Sequence, residues 1–200
     1  WVGESKLVVN GANAEVNASW IDIWDGTPAV SVENGATLDV DSIKASRGGS
    51  IAVDNATLDA GKVELGHNGE SAGNLTVNNG TVTGEIKLTT TDSTIAGSEG
   101  MNVTTDIADH KVVYENGIYK VVAKIYVAEL NGTKYESLQD AINAAANGGT
   151  VTLLGNIELN ESIVVANGSV VTLDLNGYTI TGTDTTEKNF GLIHNTGTLT

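Results

Sequence analysis

Four short runs inside residues 6–88 decide the fold: KLVVNG at 6–11, AVSVENG at 29–35, SIAVDN at 50–55 and NLTVNN at 74–79. Each alternates apolar with polar residues and ends on Asn or Asn-Gly, the pattern of a short strand running into a tight corner. Their second inward residues, Val9, Val32, Val53 and Val77, recur at intervals of 23, 21 and 24. A second column, Val16, Val40, Ala60 and Gly84, and a third, Ile21, Ile43, Val63 and Ile86, follow at nearly the same period. The last coil is compressed between its second and third columns. Three strands per turn at a period near 22 predict a three-faced parallel β-solenoid, with equivalent strands about 4.8 Å apart. Alternation then sends Leu7 and Val9, Val30 and Val32, Ile51 and Val53, Leu75 and Val77 into the bore, and the residues between them outward. Corners fall at Asn10-Gly11, Asn34-Gly35, Asn55 and Asn79-Gly80, because Asn and Gly accept left-handed backbone and stacked Asn side chains bond along a column.

Composition agrees with this reading and narrows the chemistry. The 200 residues are 40% hydrophobic with one Phe and one Met, so the core must be aliphatic. A net charge of −15, from 25 acidic and 10 basic residues, argues against nucleic acid, which needs clustered Lys and Arg, and against an anionic membrane surface. It suits solubility and divalent cations. Without cysteine there is no disulfide framework and no thiolate metal site. No stretch approaches the roughly 20 apolar residues of a membrane span. The chain begins at Trp1 without Met and stops at Thr200 within a strand-like run, which reads as a piece of a longer protein.

Downstream the pattern changes. VVYENGIYKVV at 112–122 reads as a hairpin around Asn116-Gly117, and a second hairpin pairs IYVAEL with TKYES around Asn131-Gly132. SLQDAINAAAN at 137–147 is the one convincing helix, with Ser137 as N-cap, Asp140 three residues on, and Leu138, Ala141, Ile142 and Ala145 on one face. Gly148-Gly149 stops it. Strands resume with Val151, Val171 and Leu192 as the expected column of a second solenoid. The expected domains are therefore residues 1–108, coils ending a first solenoid; 109–136, a β-hairpin junction; and 137–200, the capping helix and first coils of a second.

The run YESLQDAINAAANGGTVTLLGNIEL at 135–159 resembles the N-terminal cap and first coil of the pectin-lyase-like right-handed parallel β-helix proteins. With VYENGIYKVV and LDLNGYTITG it is similar to large repetitive surface proteins of Gram-positive gut bacteria. The resemblance spans about residues 112–200. It implies an all-β fold of right-handed parallel β-helix coils with a hairpin junction and one short capping helix, and it implies little about activity, since the family holds lyases, hydrolases, adhesins and scaffolds. Such a cap covers the bore and an open strand edge.

Two outward columns bear on function. Asp22, Lys44, Glu64 and Lys87 alternate in sign on the third face, as a solvated face does. On the second face Glu15, Asp39 and Asp59, followed by Thr83, would stack three carboxylates. Either salt screens them, or a hard cation such as Ca²⁺ is shared between them. No base stands in that column, the only Arg is Arg47, and Gly66-His67-Asn68 departs from the Gly-His-Gly element of polygalacturonase-like relatives, so a catalytic constellation is missing. Trp20, Asp22 and Trp24 in WIDIW share one face, with Ile21 and Ile23 buried. They form either a stacking platform for a sugar ring, with Asp22 accepting from its hydroxyls, or a packing surface for neighbouring chain. His110 and His194 have no partners at ligand spacing, and Tyr114, Tyr119, Tyr126 and Tyr135 are expected to cover hairpin faces and the solenoid end.

These readings converge on a non-enzymatic stalk, display or adhesion module of a secreted or cell-surface bacterial protein. Its expected partners are a host or microbial glycan, a surface protein, or a second copy meeting it end to end. The other class is a carbohydrate-binding or carbohydrate-cleaving β-helix, with or without calcium. The two make different demands on structure: a site needs acids or indoles lining an accessible groove, and a stalk needs short corners and mixed-charge faces.

Overall fold

The computed structural model describes residues 6–25, 29–67, 71–182 and 191–200. The chain divides into two compact units, Trp1–Ala123 and Lys124–Thr200. Both are built of parallel stacked β-solenoid coils, about 8 turns in all. The division falls inside residues 109–136, so the two hairpins expected there part company: one finishes the first unit and the other begins the second.

In the first unit the strands are β1 (Leu7–Asn10), β2 (Glu15–Ile23), β3 (Val30–Glu33), β4 (Thr37–Ala45), β5 (Ser50–Asp54), β6 (Thr57–Leu65), β7 (Asn74–Asn78), β8 (Thr81–Leu88), β9 (Thr94–Ala96), β10 (Val103–Thr104), β11 (His110–Glu115) and β12 (Ile118–Ala123). They form a seven-stranded sheet in the order β1-β3-β5-β7-β9-β12-β11 and a five-stranded sheet in the order β10-β8-β6-β4-β2. The first column holds as expected, with Val9, Val32, Val53 and Val77 as successive parallel partners. Ser31, expected outward, is also buried, and its hydroxyl donates to Glu33.

The second and third columns are two segments of one strand. In β4 the buried residues are Leu38 and Val40, then Ile43 and Ala45; in β6 they are Leu58 and Ala60, then Val63 and Leu65. The alternation slips by one residue at Asp41-Ser42 and at Gly61-Lys62. Each nine-residue strand thus turns a corner while its ladder of hydrogen bonds continues. Each leucine buried in this bore contributes about 1.5–3 kcal/mol of apolar burial.

That continuity corrects the second column. Ile21 pairs with Ile43, an interval of 22, and an unbroken strand must keep this interval along its length. Val16 therefore pairs with Leu38, Ala18 with Val40, and Glu15 with Thr37 rather than with Asp39. Between β6 and β8 the register does shift: Asp59 pairs with Thr83 but Lys62 with Glu85, so Ala60 and Gly61 face the single residue Gly84. This bulge is the compression seen in the sequence. Gly84 has φ +85, and a Cβ there would lie 1.8 Å from the Ala60 carbonyl oxygen.

The corners use left-handed residues, with φ of 55° at Asn34, 46° at Asn55 and 47° at Asn79. The Asn34 amide donates to the Asn10 side-chain oxygen at 3.1 Å, the expected bond along a corner column. The first unit ends in the β11–β12 hairpin, which lies antiparallel on β9. Its turn, Asn116-Gly117, has both residues left-handed. Tyr114 and Tyr119 face each other across it at 4.6 Å between ring centroids. The Tyr119 hydroxyl accepts from Met101 N at 2.9 Å and donates to Ser98 O, and Tyr114 donates to Gly97 O, so the pair fastens the hairpin to the preceding loop.

The second unit opens with the hairpin of β13 (Ala128–Leu130) and β14 (Thr133–Tyr135), then α1 (Leu138–Ala144). Its coils comprise β15 (Asn147–Leu153), β16 (Ile157–Leu159), β17 (Ile163–Val165), β18 (Val170–Asp174), β19 (Ile180–Gly182), β20 (Ile193–Asn195) and β21 (Thr198–Leu199). Three strands per turn appear here as separate ladders: β15-β18-β21, β16-β19 and β17-β20. The expected column of Val151, Val171 and Leu192 does not form. Val151 pairs with Leu173, because β15 and β18 are in register at an interval of 22 and not 20. Val171 pairs with Leu199 and Leu192 leads into β20, because the connection from β19 to β20 is longer than that from β16 to β17.

The helix starts where expected, with Asp140 N donating to Ser137 Oγ at 3.3 Å, and buries Leu138, Ala141 and Ile142. It stops at Ala144 because Asn147 and the two glycines already belong to β15. Gln139 supplies what a preceding coil would: its carboxamide accepts from Val164 N at 2.7 Å and donates to Val164 O at 2.9 Å, while the neighbouring β17 residues bond to the β20 segment on the other side. A side-chain amide thereby satisfies a parallel strand edge.

Candidate functional site

The charged column is in register, Asp22 beside Lys44, Lys44 beside Glu64, and Glu64 beside Lys87. Lys44 meets Glu64 at 2.9 Å, Lys62 meets the other Glu64 oxygen at 3.0 Å, and Lys87 meets Asp106 at 2.6 Å. Burial alone would push the Glu64 carboxyl up, but its hydrogen bonds to Lys44 and Lys62 and their charges outweigh this and hold it below the usual glutamate value. The bond between Asp106 and Lys87 lowers the acid and raises the base. Pairs this near the surface are screened by solvent and contribute little, and the row organises a face more than it stabilises the fold.

The expected triad of Glu15, Asp39 and Asp59 is not brought together as a stack. The row containing Asp39 and Asp59 begins at Asn17, whose amide donates to Glu15 Oε1 at 3.2 Å. It ends at Thr83, whose hydroxyl donates to Asp59. Shifting Glu15 to the Thr37 row removes one of three carboxylates from the proposed calcium position. Among the described residues no group of three or more His, Asp or Glu is arranged to hold a metal ion.

The WIDIW face is presented as alternation predicts. Trp20 is 72% exposed and Trp24 52%, Asp22 is exposed between them, Ile23 is buried and Ile21 half-buried. Trp20 and Asp22 lie on β2, at the end of the five-stranded sheet, and Trp24 follows its last residue. The two indoles differ in surroundings. The Arg47 guanidinium lies over the Trp24 ring at 4.7 Å from its centroid, and the His67 ring is 6.4 Å away at 35°. Trp24, Arg47 and His67 therefore follow one another up three coils. Their intervals of 23 and 20 match the period of the repeat, the one signal in the sequence by which this ladder was legible. Asn68, the last position of the Gly-His-Asn element, lies outside the described residues.

His110 Nδ1 bonds the Ala108 carbonyl at 2.7 Å, and His194 pairs within the β17–β20 ladder. Neither joins the WIDIW face in the register. Among the described residues no helix is long and apolar enough to cross a membrane. No protein-family model matches the chain, no curated protein matches it, and no solved structure matches it.

Proposed function

We propose that this chain is a non-enzymatic structural and adhesive module of a bacterial cell-surface or secreted protein, a rigid element for reach and display. The observation that carries the reading is the row Asp22, Lys44, Glu64, Lys87 and Asp106: outward groups of successive coils are matched to one another in pairs instead of converging on one point. Closure of the ladder by the antiparallel β11–β12 hairpin and the β13–β14 hairpin supports it, because an edge already paired resists unwanted strand addition. Kinship with the pectin-lyase-like proteins, and with Gram-positive surface proteins, belongs to the same proposal and rests on the helix-capped start of the second unit. Catalysis is not part of it: Asp39 and Asp59 share a row with Asn17 and Thr83 and with no base.

Single-molecule extension between the chain termini tests the stalk. A module built to bear load unfolds in discrete steps with measurable force peaks, and extension without a resolved peak would sink the proposal. A second reading, carbohydrate binding, is favoured by Trp20 specifically, an indole 72% exposed beside an exposed carboxylate. Saturable binding on a glycan array, lost in Trp20→Ala, supports it; binding unchanged in that variant removes this face from consideration.

A further inference from the structure

Five of the two-residue turns share one geometry, with both residues left-handed: Asn34-Gly35, Arg47-Gly48, Asn116-Gly117, Asn131-Gly132 and Asn176-Gly177. In four of them the first residue is Asn, which tolerates this backbone. In the fifth it is Arg47, the only arginine in the chain, at φ 54, with Gly49 N closing the turn onto Ser46 O at 2.8 Å. At the equivalent turn Ala36 N bonds Glu33 O at 3.2 Å around Asn34-Gly35, so the backbone at 47 is of the kind that Asn occupies elsewhere. A long side chain held in left-handed backbone is strain, and strain retained at an exposed corner points to what the side chain does. What Arg47 does is lie over Trp24, one coil away, beside the exposed pair Asp22 and Trp20.

We propose that Arg47, Trp24 and Trp20 form an adhesive subsite for a glycan whose sugar carries an anionic group, a sulfate or a carboxylate. This rests on the carbohydrate reading of the WIDIW face and adds its charge preference. A guanidinium lying over an aromatic ring keeps its N–H donors in its own plane, at the edge, where a sulfate or carboxylate meets two of them. Trp20 and Trp24 are four residues apart, about 13 Å along extended chain, so a ring stacked on Trp20 and an anion at Arg47 belong to sugars separated by one or two units of one oligosaccharide. Asp22 lies between them and accepts hydroxyls. It also orients the ligand, because its carboxylate repels the anionic end towards Arg47. On a chain of net charge −15, an arginine held on an indole is a local cation on a predominantly acidic surface.

The test immobilises one tetrasaccharide in neutral, 6-sulfated and uronate forms and measures the intact chain, Arg47→Asn and Trp20→Ala against each. We expect binding of the sulfated or the uronate form about tenfold tighter than of the neutral form, with the difference shrinking as salt rises. The two anionic arms identify which group is preferred. Arg47→Asn abolishes the preference while its Tm stays level or rises, since Asn relieves the strained backbone. Trp20→Ala weakens all three forms. Neutral binding through Trp20 with no anionic preference overturns this inference and leaves the carbohydrate reading standing, whereas failure of all three forms removes both. A fall in Tm of several degrees in Arg47→Asn would make Arg47 a structural staple and overturn the inference as well.

Discussion

Gly84 is where the register argument is most exposed to refutation, and its replacement by alanine separates two physical effects. Gly84 has φ +85, and a methyl there would meet the Ala60 carbonyl oxygen at 1.8 Å and the Gly61 carbonyl oxygen at 2.9 Å. Left-handed backbone costs an alanine about 1–2 kcal/mol. The overlap with Ala60 is with main chain, so β8 must move, which loosens the bulge pairing and the bond from Ala60 N to Thr83 Oγ1. Each bond lost there removes about 1 kcal/mol, and the expected loss for Gly84→Ala is roughly 3–5 kcal/mol. Gly100→Ala is the control: its φ is +100, but no atom lies within 4 Å of the added methyl, so only the conformational cost of about 1–2 kcal/mol applies. Urea unfolding followed by tryptophan anisotropy reads the first unit alone, because the three tryptophans are at positions 1, 20 and 24. Equal losses in the two variants would show that β8 does not approach Ala60 as described, and the bulge would have to be abandoned.

Two further outcomes follow from the same structure. Gln139→Ala leaves Val164 N and O without their side-chain partner, and amide exchange at Val164 should speed up at least tenfold while the β18 amides stay protected; unchanged exchange would remove Gln139 from the cap. Glu64 has its folded pKa below the ordinary 4.5, so its contribution is present above that value and disappears as pH falls through the depressed one. Glu64→Gln should therefore destabilise the first unit near pH 7 and lose its effect as pH falls through that depressed value, and a penalty independent of pH would show that Lys44 and Lys62 do not stabilise the carboxylate.

How much of this was legible from residues alone depends on what constrains each position. The first column is readable because each inward aliphatic residue followed two positions on by Val runs into an Asn corner that restarts the count in every coil. Glu15 was misplaced because Val16 was matched to Val40 by identity, although Ile21 and Ile43 already required an interval of 22 through a strand with no room for two extra residues. The Arg47 ladder sits at corners, where alternation says nothing about which way a side chain faces, and only the spacing of Trp24, Arg47 and His67 carried the information. Gln139 was out of reach for another reason: its partner is 25 residues away, and the role exists only because α1 stands where a preceding coil would. The end of the helix was overrun because Ala146 and Asn147 suit a helix locally, whereas pairing of Asn147 with Val170 claims that residue for β15.

The Asn-Gly pair itself does not say whether a solenoid continues or ends. Asn34-Gly35 and Asn116-Gly117 have nearly the same left-handed angles, yet the first passes the chain to the next face of a coil and the second reverses it into a hairpin. In the first unit the two turns differ in the residue that follows. After Gly35 comes Ala36, and after Asn55 comes Ala56, both small and buried, and Thr57 N bonds Ala36 O just as Thr81 N bonds Ala56 O. After Asn79 the position is Gly80, where even a Cβ would meet Val53 Cγ1 at 2.7 Å. In the first unit these corners thus take a residue small enough to turn inward against the coil before it, whereas in the second unit Asn176-Gly177 passes the chain from β18 to β19 with the exposed Tyr178 next. Ile118 after Gly117 is larger than the residues at those first-unit corners; it stays largely exposed and pairs across to Glu115 and Ala96. Side-chain volume one position beyond the turn thus marks where the ladder of the seven-stranded sheet stops, with β12 laid antiparallel on β9.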